Sequence, residues 1–385
     1  MNEVAPTVQT GRNLVICCDG TNNQFGSNNT NVVRLVQVLE RNPAKQRLFY
    51  DAGVGTLPEP ASWGWLKKVW FELCDLAFAV GLPDRVSNAY RYLMEMWQPG
   101  DRVFMFGFSR GSYTVRVLAG LLHELGLLPP GCANLVPYAY RLFKAIRKQK
   151  RDQPGSYWDV CDQFRRTFAR QVASGDEERR FPVHFVGVWD TVSSVGWVWN
   201  PTSFPYTHKN PGISIVRHAV AIDERRAFFR SNLFEAAPGQ NLKEGWFPGV
   251  HCDVGGGYSD SGMWRTAFDW MVRESQGAGL LTDAKRLAAV MTLPLVQPWA
   301  DKLHESLDWK WVGAEIMPKF SYSAATQSHH LYINLGRRRH IAPGSLIHRT
   351  ALNRMMTPKL NYNPPNIPES FRSNSLSGTS EFISL

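Results

Sequence analysis

Four apolar residues, Val103-Phe-Met-Phe106, run unbroken into Gly107-Phe-Ser109-Arg-Gly111, and an apolar-rich stretch from Tyr113 to Leu122 follows. A buried strand, a glycine-flanked turn with serine at its tip and a helix form a nucleophile elbow, G-x-S-x-G. A serine hydroxyl is a poor nucleophile, so a sharp strand-to-helix turn presents it where a base can reach it. The backbone there is crowded, and glycines at 107 and 111 let strand and helix pass closely. Five residues recur by chance, so the flanking strand and helix carry the weight.

The rest of the chain has the same rhythm. Leu14 to Cys18 reads as a first strand that ends in the turn-rich Asp19-Gly-Thr-Asn-Asn-Gln24. Thr30 suits the N-cap of an amphipathic helix over 31–40. Arg47 to Tyr50 reads as a second strand, Asp84 as the cap of a helix through Trp97, and Pro99-Gly100 as a break before the elbow strand. Phe181 to Trp189 is a further apolar run ending at Asp190, Val216 to Ala221 leads into Asp223-Glu-Arg-Arg226, and Gly245 to Val250 leads into His251. Strands alternating with helical stretches predict an α/β fold, a mainly parallel sheet with helices on both faces. Reactive groups in such sheets gather at the carboxyl ends of strands. Asp19, Asp51, Ser109, Asp190 and His251 all fall there.

A chain of 385 residues with 44% hydrophobic residues suits one large domain over 1–360 with a flexible tail over 361–385. The tail is rich in Asn, Pro and Ser. Segment 61–82 places Trp63, Trp65, Trp70 and Phe78 at near-helical spacing, with Lys67-Lys68 on the other face. It is expected to cover the sheet or site mouth, or to act as a lid or interfacial helix on lipid. The formal charge of +10 makes polyanions and anionic membrane surfaces plausible partners. Basic clusters at Arg141–Arg151, Arg165–Arg170 and Arg337–Arg339 match no nucleic-acid motif and read as solvated surface, so no nucleic acid is expected. The 6 cysteines show no metal-site or disulfide spacing and suit a reducing compartment. No signal peptide and no spanning run is evident, which makes the cytoplasm the default expectation, with signal-independent secretion as the other route.

Serine hydrolysis needs a base and a carboxylate to orient it. Among 10 histidines, His251 stands out because Trp246-Phe-Pro-Gly-Val precedes it and Gly255-Gly-Gly257 follows closely. His123 comes too early, His184 alternates within a strand, and His208 and His218 lie in or near loop-like sequence. Asp190 fits the acid by position and by the chain order Ser, Asp, His. Asp253 is its rival and Asp223 a weaker third. The oxyanion needs two backbone donors. The amide of Arg110 is one, and the turn Asp19-Gly20-Thr21 is placed for the second, with Asp19 orienting it. A metal-assisted phosphoester hydrolase using Asp19, His251 and Asp253 is an alternative reading, as is a non-catalytic lipid- or protein-binding module on the same scaffold.

Several motifs occur together in one order: Cys18-Asp-Gly-Thr-Asn-Asn23, Tyr50-Asp-Ala-Gly-Val-Gly-Thr56, Ala89-Tyr-Arg-Tyr-Leu93, Gly107-Phe-Ser-Arg-Gly111, Gly187-Val-Trp-Asp-Thr-Val192, Ala221-Ile-Asp-Glu-Arg-Arg226 and Trp246 through Tyr258. This set resembles the α/β-hydrolase family DUF2235, also described as the catalytic domain of first-class type VI secretion phospholipase effectors. The resemblance is dense over about residues 12–260. It implies an α/β-hydrolase-like fold and a serine esterase or phospholipase A-type lipase acting on a lipid or other acyl ester without a cofactor or metal. Carried over by motif, Ser109 would be nucleophile and His251 base, with Asp190 assigned as acid. The secreted effectors carry extra membrane-binding regions, whereas this chain reads as nearly all catalytic domain, so the toxin role is the part the resemblance supports least.

Overall fold

Eight strands form one sheet in the order β10-β9-β6-β5-β4-β3-β1-β2. The computed structural model describes residues 11–20, 26, 28–53, 66–147, 149, 151, 155–173, 175–192, 204–292, 297–307, 311, 315–316, 319–323, 328–368, 371 and 380–385. The strands are β1 (Asn13–Cys18), β2 (Gln46–Asp51), β3 (Arg102–Phe108), β4 (Val183–Trp189), β5 (Ile213–Ala221), β6 (Asn241–Phe247), β9 (Leu346–His348) and β10 (Phe382–Ser384). A separate antiparallel hairpin joins β7 (Lys319–Ser323) and β8 (Ser328–Tyr332). Every pairing in the main sheet is parallel except β10 with β9. The expected mainly parallel α/β-hydrolase-like architecture is what the chain adopts.

Alternation along the strands divides the core. Leu14, Ile16, Val103 and Met105 pack on one face with α2 (Leu66–Met96), α3 (Arg110–Leu125), α4 (Val136–Ile146) and α5 (Tyr157–Phe168). Val15, Cys17, Phe104, Phe106 and Phe108 pack on the other with α1 (Asn31–Val38) and α7 (Trp264–Gly277). Both faces are buried, which is why these strands read as continuous apolar runs. A smaller cluster, including Trp246, Ile347 and Ala351, joins β6 and β9 to α9 (Arg349–Met355). Two further helices, α6 (His251–Gly255) and α8 (Ala284–Met291), complete the described set. No helix among the described residues is long and apolar enough to cross a membrane.

Three expectations change. Asp84 does not cap a helix, because α2 runs through it from Leu66 to Met96 with Pro83 inside. The tail is not loose to its end: Phe382 pairs with His348 at the sheet edge, and its ring packs on Phe247 and Trp270. Burying that aromatic surface offsets the entropy that the Ser- and Asn-rich composition would otherwise keep. His218 lies inside β5, fully buried, with Nδ1 2.7 Å from Glu244 and Nε2 accepting from the Thr191 N–H. Of the aromatic segment 61–82, residues 61–65 lie outside the described residues, and from Leu66 to Val80 only the backbone is described.

Candidate active site

Strand register sets the site. Phe108 is opposite Trp189, so Ser109 and Asp190 each lie one residue past the last register pair of adjacent strands. The Ser109 N–H donates to the Trp189 carbonyl at 3.1 Å, which ties the two strand ends together. Ala221 is opposite Phe247, and His251 follows four residues later as the first residue of α6 rather than in a loop. β2 lies on one side of β1 and β3 on the other, so the connections diverge between β1 and β3, the kind of position at which open α/β sheets bind ligands.

The elbow is strained as its sequence demands. Ser109 has φ 57° and ψ −124°, a conformation that L-residues rarely adopt. A Cβ at Gly111 would sit 2.1 Å from the Cys18 carbonyl oxygen, and one at Gly107 would sit 2.6 Å from the Ser112 Cα. Only glycine lets α3 begin directly against the end of β1.

Asp190 and His251 are in contact. His251 Nδ1 lies 2.5 Å from Asp190 Oδ2, and both residues are buried. A carboxylate only accepts, so Nδ1 carries the proton and Nε2 presents its lone pair. The imidazole stacks on Phe108 with ring centres 4.5 Å apart and meets Phe229 edge-on at 4.8 Å. Phe108 is the residue before Ser109, so its ring ties the His251 imidazole to the elbow. The Ser109 hydroxyl and the His251 ring are not hydrogen-bonded to each other in this conformation.

Asp190 holds more than the histidine. Arg339 donates from Nη1 to Oδ1 at 2.5 Å and from Nη2 to Oδ2 at 3.0 Å, and the Ala221 N–H donates to Oδ1 at 2.9 Å. Burial opposes ionisation, but Arg339 and His251 outweigh it and hold the Asp190 carboxyl well below its ordinary value. Burial pulls the His251 imidazole below its own ordinary value, against the pull of Asp190. A neutral imidazole beside a fixed carboxylate can accept a proton at neutral pH. Glu224 holds the His251 backbone, accepting its N–H at 3.2 Å and pairing with Arg226 at 2.9 Å. Burial raises the Glu224 carboxyl, but Arg226 brings it down to about 2.

The remaining candidates separate. Asp253 does not touch His251: its Oδ2 accepts the Val250 N–H at 3.1 Å, and its Oδ1 faces His304 Nδ1 at 2.7 Å. Its work is to start α6. Asp223 bonds Arg338 and Tyr362. Asp19, His251 and Asp253 form no cluster that could hold a cation among the described residues. Asp19 bonds Thr30 Oγ1 at 2.7 Å, and Thr30 caps α1 as expected. Gly20 needs correction as an oxyanion donor, because its N–H is turned back to Asp19 Oδ1 at 2.7 Å. An Asp before a tight turn competes for the next amide, which the glycine permits but does not direct. Thr21 lies outside the described residues. Arg110 is the first residue of α3, where N–H groups have no intrahelical acceptor.

Sequence reading missed Arg339, Glu224 and Phe229. Arg337–Arg339 reads as solvated surface, yet Arg339 is 8% exposed. Arg165, in another cluster expected to be solvated, is fully buried beside Glu124 and Asp162. The only available signal was that buried Asp190 needed a counter-charge.

Residues 12–274 match the model of the family described as T6SS, phospholipase effector Tle1-like, catalytic domain. The uncharacterized protein YEL023C of Saccharomyces cerevisiae is 32% identical over 236 residues, 60% of this chain. The chain spans about a third of that curated relative, 33% of its length. An uncharacterized protein from Pseudomonas aeruginosa, known from a crystal structure, has TM-score 0.42 and 18% identity, with 74% of this chain and 48% of that one covered. The Tle1 effector bound to the VgrG spike of the type 6 secretion system has TM-score 0.35 and 16% identity, with 65% and 51% covered.

Proposed function

The chain belongs to the Tle1-like phospholipase effector catalytic domain family, and from that premise we propose that it is a serine-dependent carboxylic ester hydrolase acting on glycerophospholipids. The carrying observation is the buried 2.5 Å contact between His251 Nδ1 and Asp190 Oδ2, set beside a strained serine elbow. In this reading His251 Nε2 takes the Ser109 proton as Oγ attacks the acyl carbonyl. The proton then passes to the leaving alcohol oxygen, and the acyl group stays on Ser109. Water, deprotonated by the same nitrogen, breaks the acyl-enzyme and releases the fatty acid. The Arg110 amide stabilises the oxyanion. Asp190 keeps the imidazole in the required tautomer and balances its charge when protonated. A formal charge of +10 favours an anionic lipid surface as the place of action.

The test is labelling by a fluorophosphonate together with fatty-acid release from mixed phospholipid vesicles. Wild type labels at Ser109 and turns over, and Ser109→Ala does neither while keeping its melting temperature. A Ser109→Ala protein that releases fatty acid at the wild-type rate defeats the mechanism.

A further inference from the structure

Behind the segments that hold His251 lies a cavity of about 470 Å³. Its wall includes Asp223, Lys302, Arg338, Arg354, Lys359 and Tyr362. It is separated from the candidate active site by two pairs of consecutive residues. Asp223 and Arg338 line the cavity, whereas their neighbours Glu224 and Arg339 hold His251 and Asp190.

We propose that this cavity binds a phosphate-class anion between Arg354 and Arg338, with Lys359 at its rim. Arg354 is the strongest reason. It stands on α9, is 4% exposed, and donates from Nη1 to backbone carbonyls of Asp301, at 2.8 Å, and Trp299. Its Nε is buried with no hydrogen-bond partner, and no carboxylate lies within ion-pair distance of it among the described residues. Its other neighbours are the Tyr362 ring, 5.3 Å from the guanidinium carbon, and the Met263 sulfur, and a buried guanidinium with an orphaned donor among such neutral groups is costly without an anion to answer it.

The carboxylates nearby are already committed. Asp223 accepts from Arg338 at 2.8 Å, from the Tyr362 hydroxyl at 2.9 Å and from the Gly249 N–H at 2.8 Å. Asp301 accepts the backbone N–H groups of Gly262 and Lys302. Glu305 pairs with Arg225. Arg338 lines the cavity and gives Asp223 one nitrogen only, and the planar guanidinium fork matches phosphate oxygens. Lys359 is exposed and makes no ion pair among the described residues. Asp301 meets only neutral N–H groups and keeps its charge, so Arg354 and Lys359 set against it leave one net positive charge in the cavity. A phosphate there could belong to a lipid headgroup or to a soluble phosphoester.

The experiment uses the full chain carrying Ser109→Ala, so that binding is read whether or not Ser109 hydrolyses esters. Inorganic phosphate titrated by calorimetry should bind saturably at one site. Arg354→Gln and Arg338→Gln should each weaken it roughly tenfold or more, the scale of one charge-assisted hydrogen bond. Arg354 also supports backbone, so Lys359→Ala and Lys359→Glu serve as variants that leave the fold untouched; the first should weaken binding several-fold and the second further. Co-sedimentation with phosphatidic acid–phosphatidylcholine vesicles separates the sources. Release by phosphate supports the site with a headgroup occupant, and vesicle association insensitive to phosphate supports it with a soluble phosphoester. No saturable phosphate binding, or binding that none of these variants weakens, overturns the proposal.

Discussion

Replacing Arg339 by Gln tests whether the guanidinium behind Asp190 sets the basicity of His251. Arg339 Nη2 and His251 Nδ1 share one carboxylate oxygen, at 3.0 and 2.5 Å, which puts the two nitrogens within about 5.5 Å of each other. Two positive charges at that separation, with an effective dielectric constant of about 20, repel by roughly 3 kcal/mol. The centres of the two delocalised charges lie farther apart than these nitrogens and Asp190 stands between them, so this is a ceiling on how far Arg339 disfavours the imidazolium, at most about two pH units. Without it, the whole charge of Asp190 acts on the imidazole, which shifts the basicity in the same direction. The acid limb of kcat/KM on a soluble short-chain ester should therefore move to higher pH, by up to about two units. Arg339→Lys keeps a charge without the fork and should move it less. Stability falls too, since removing one partner of a buried ion pair costs about 3–5 kcal/mol. With an unfolding entropy near 0.8 kcal/mol/K for a chain of this size, Tm drops by roughly 4–6 °C. An acid limb that stays put or moves to lower pH in folded Arg339→Gln refutes the reasoning.

Asp190→Asn keeps the shape of the contact but inverts its donor pattern, so kcat on the same ester should fall by about 10⁴, with Tm measured alongside. In the wild-type enzyme, kcat/KM should rise with pH through a value below the ordinary imidazole range and be flat by neutrality, because burial lowers His251; stopped assays across pH 4–8 read this directly. Gly111→Ala forces a Cβ to within 2.1 Å of the Cys18 carbonyl. It should cost about 3 kcal/mol, seen as a melting temperature lower by roughly 4 °C. Asp253→Asn combined with a chelator should leave the short-chain ester rate within about threefold of wild type, because Asp253 serves the α6 cap and His304 rather than the base. A chelator-sensitive wild-type rate would point back to the metal reading.

Strands were legible where both faces are buried, because burial on two sides forces continuous apolar runs such as Leu14–Cys18 and Val103–Phe106. The elbow was legible for a local reason: a φ of 57° at Ser109 and close passage at Gly107 and Gly111 leave few residue choices within five positions. Asp190 and His251 were legible as candidates because each follows an apolar run; their contact is what the structure adds, and their roles as acid and base belong to the proposal. Gly20 was misjudged as an oxyanion donor because an amide's direction depends on which acceptor wins, and Asp19 stands next to it. The edge strand Phe382–Ser384 was hidden because its composition is that of a tail, while its stability comes from Phe247 and Trp270, more than 100 residues earlier.

By itself, then, the sequence determined where the strands end and that Ser109, Asp190 and His251, the residues of the proposed triad, stand at those ends, since period, glycine and chain order are local properties. Only the tertiary structure decided the environment that tunes them. Arg339 comes from 149 residues beyond Asp190, Glu224 and Phe229 from another strand end, and their consecutive neighbours Arg338 and Asp223 turn to a different cavity. Whether a basic residue is solvated or locked onto a carboxylate depends on what packs over it, and no local pattern encodes that.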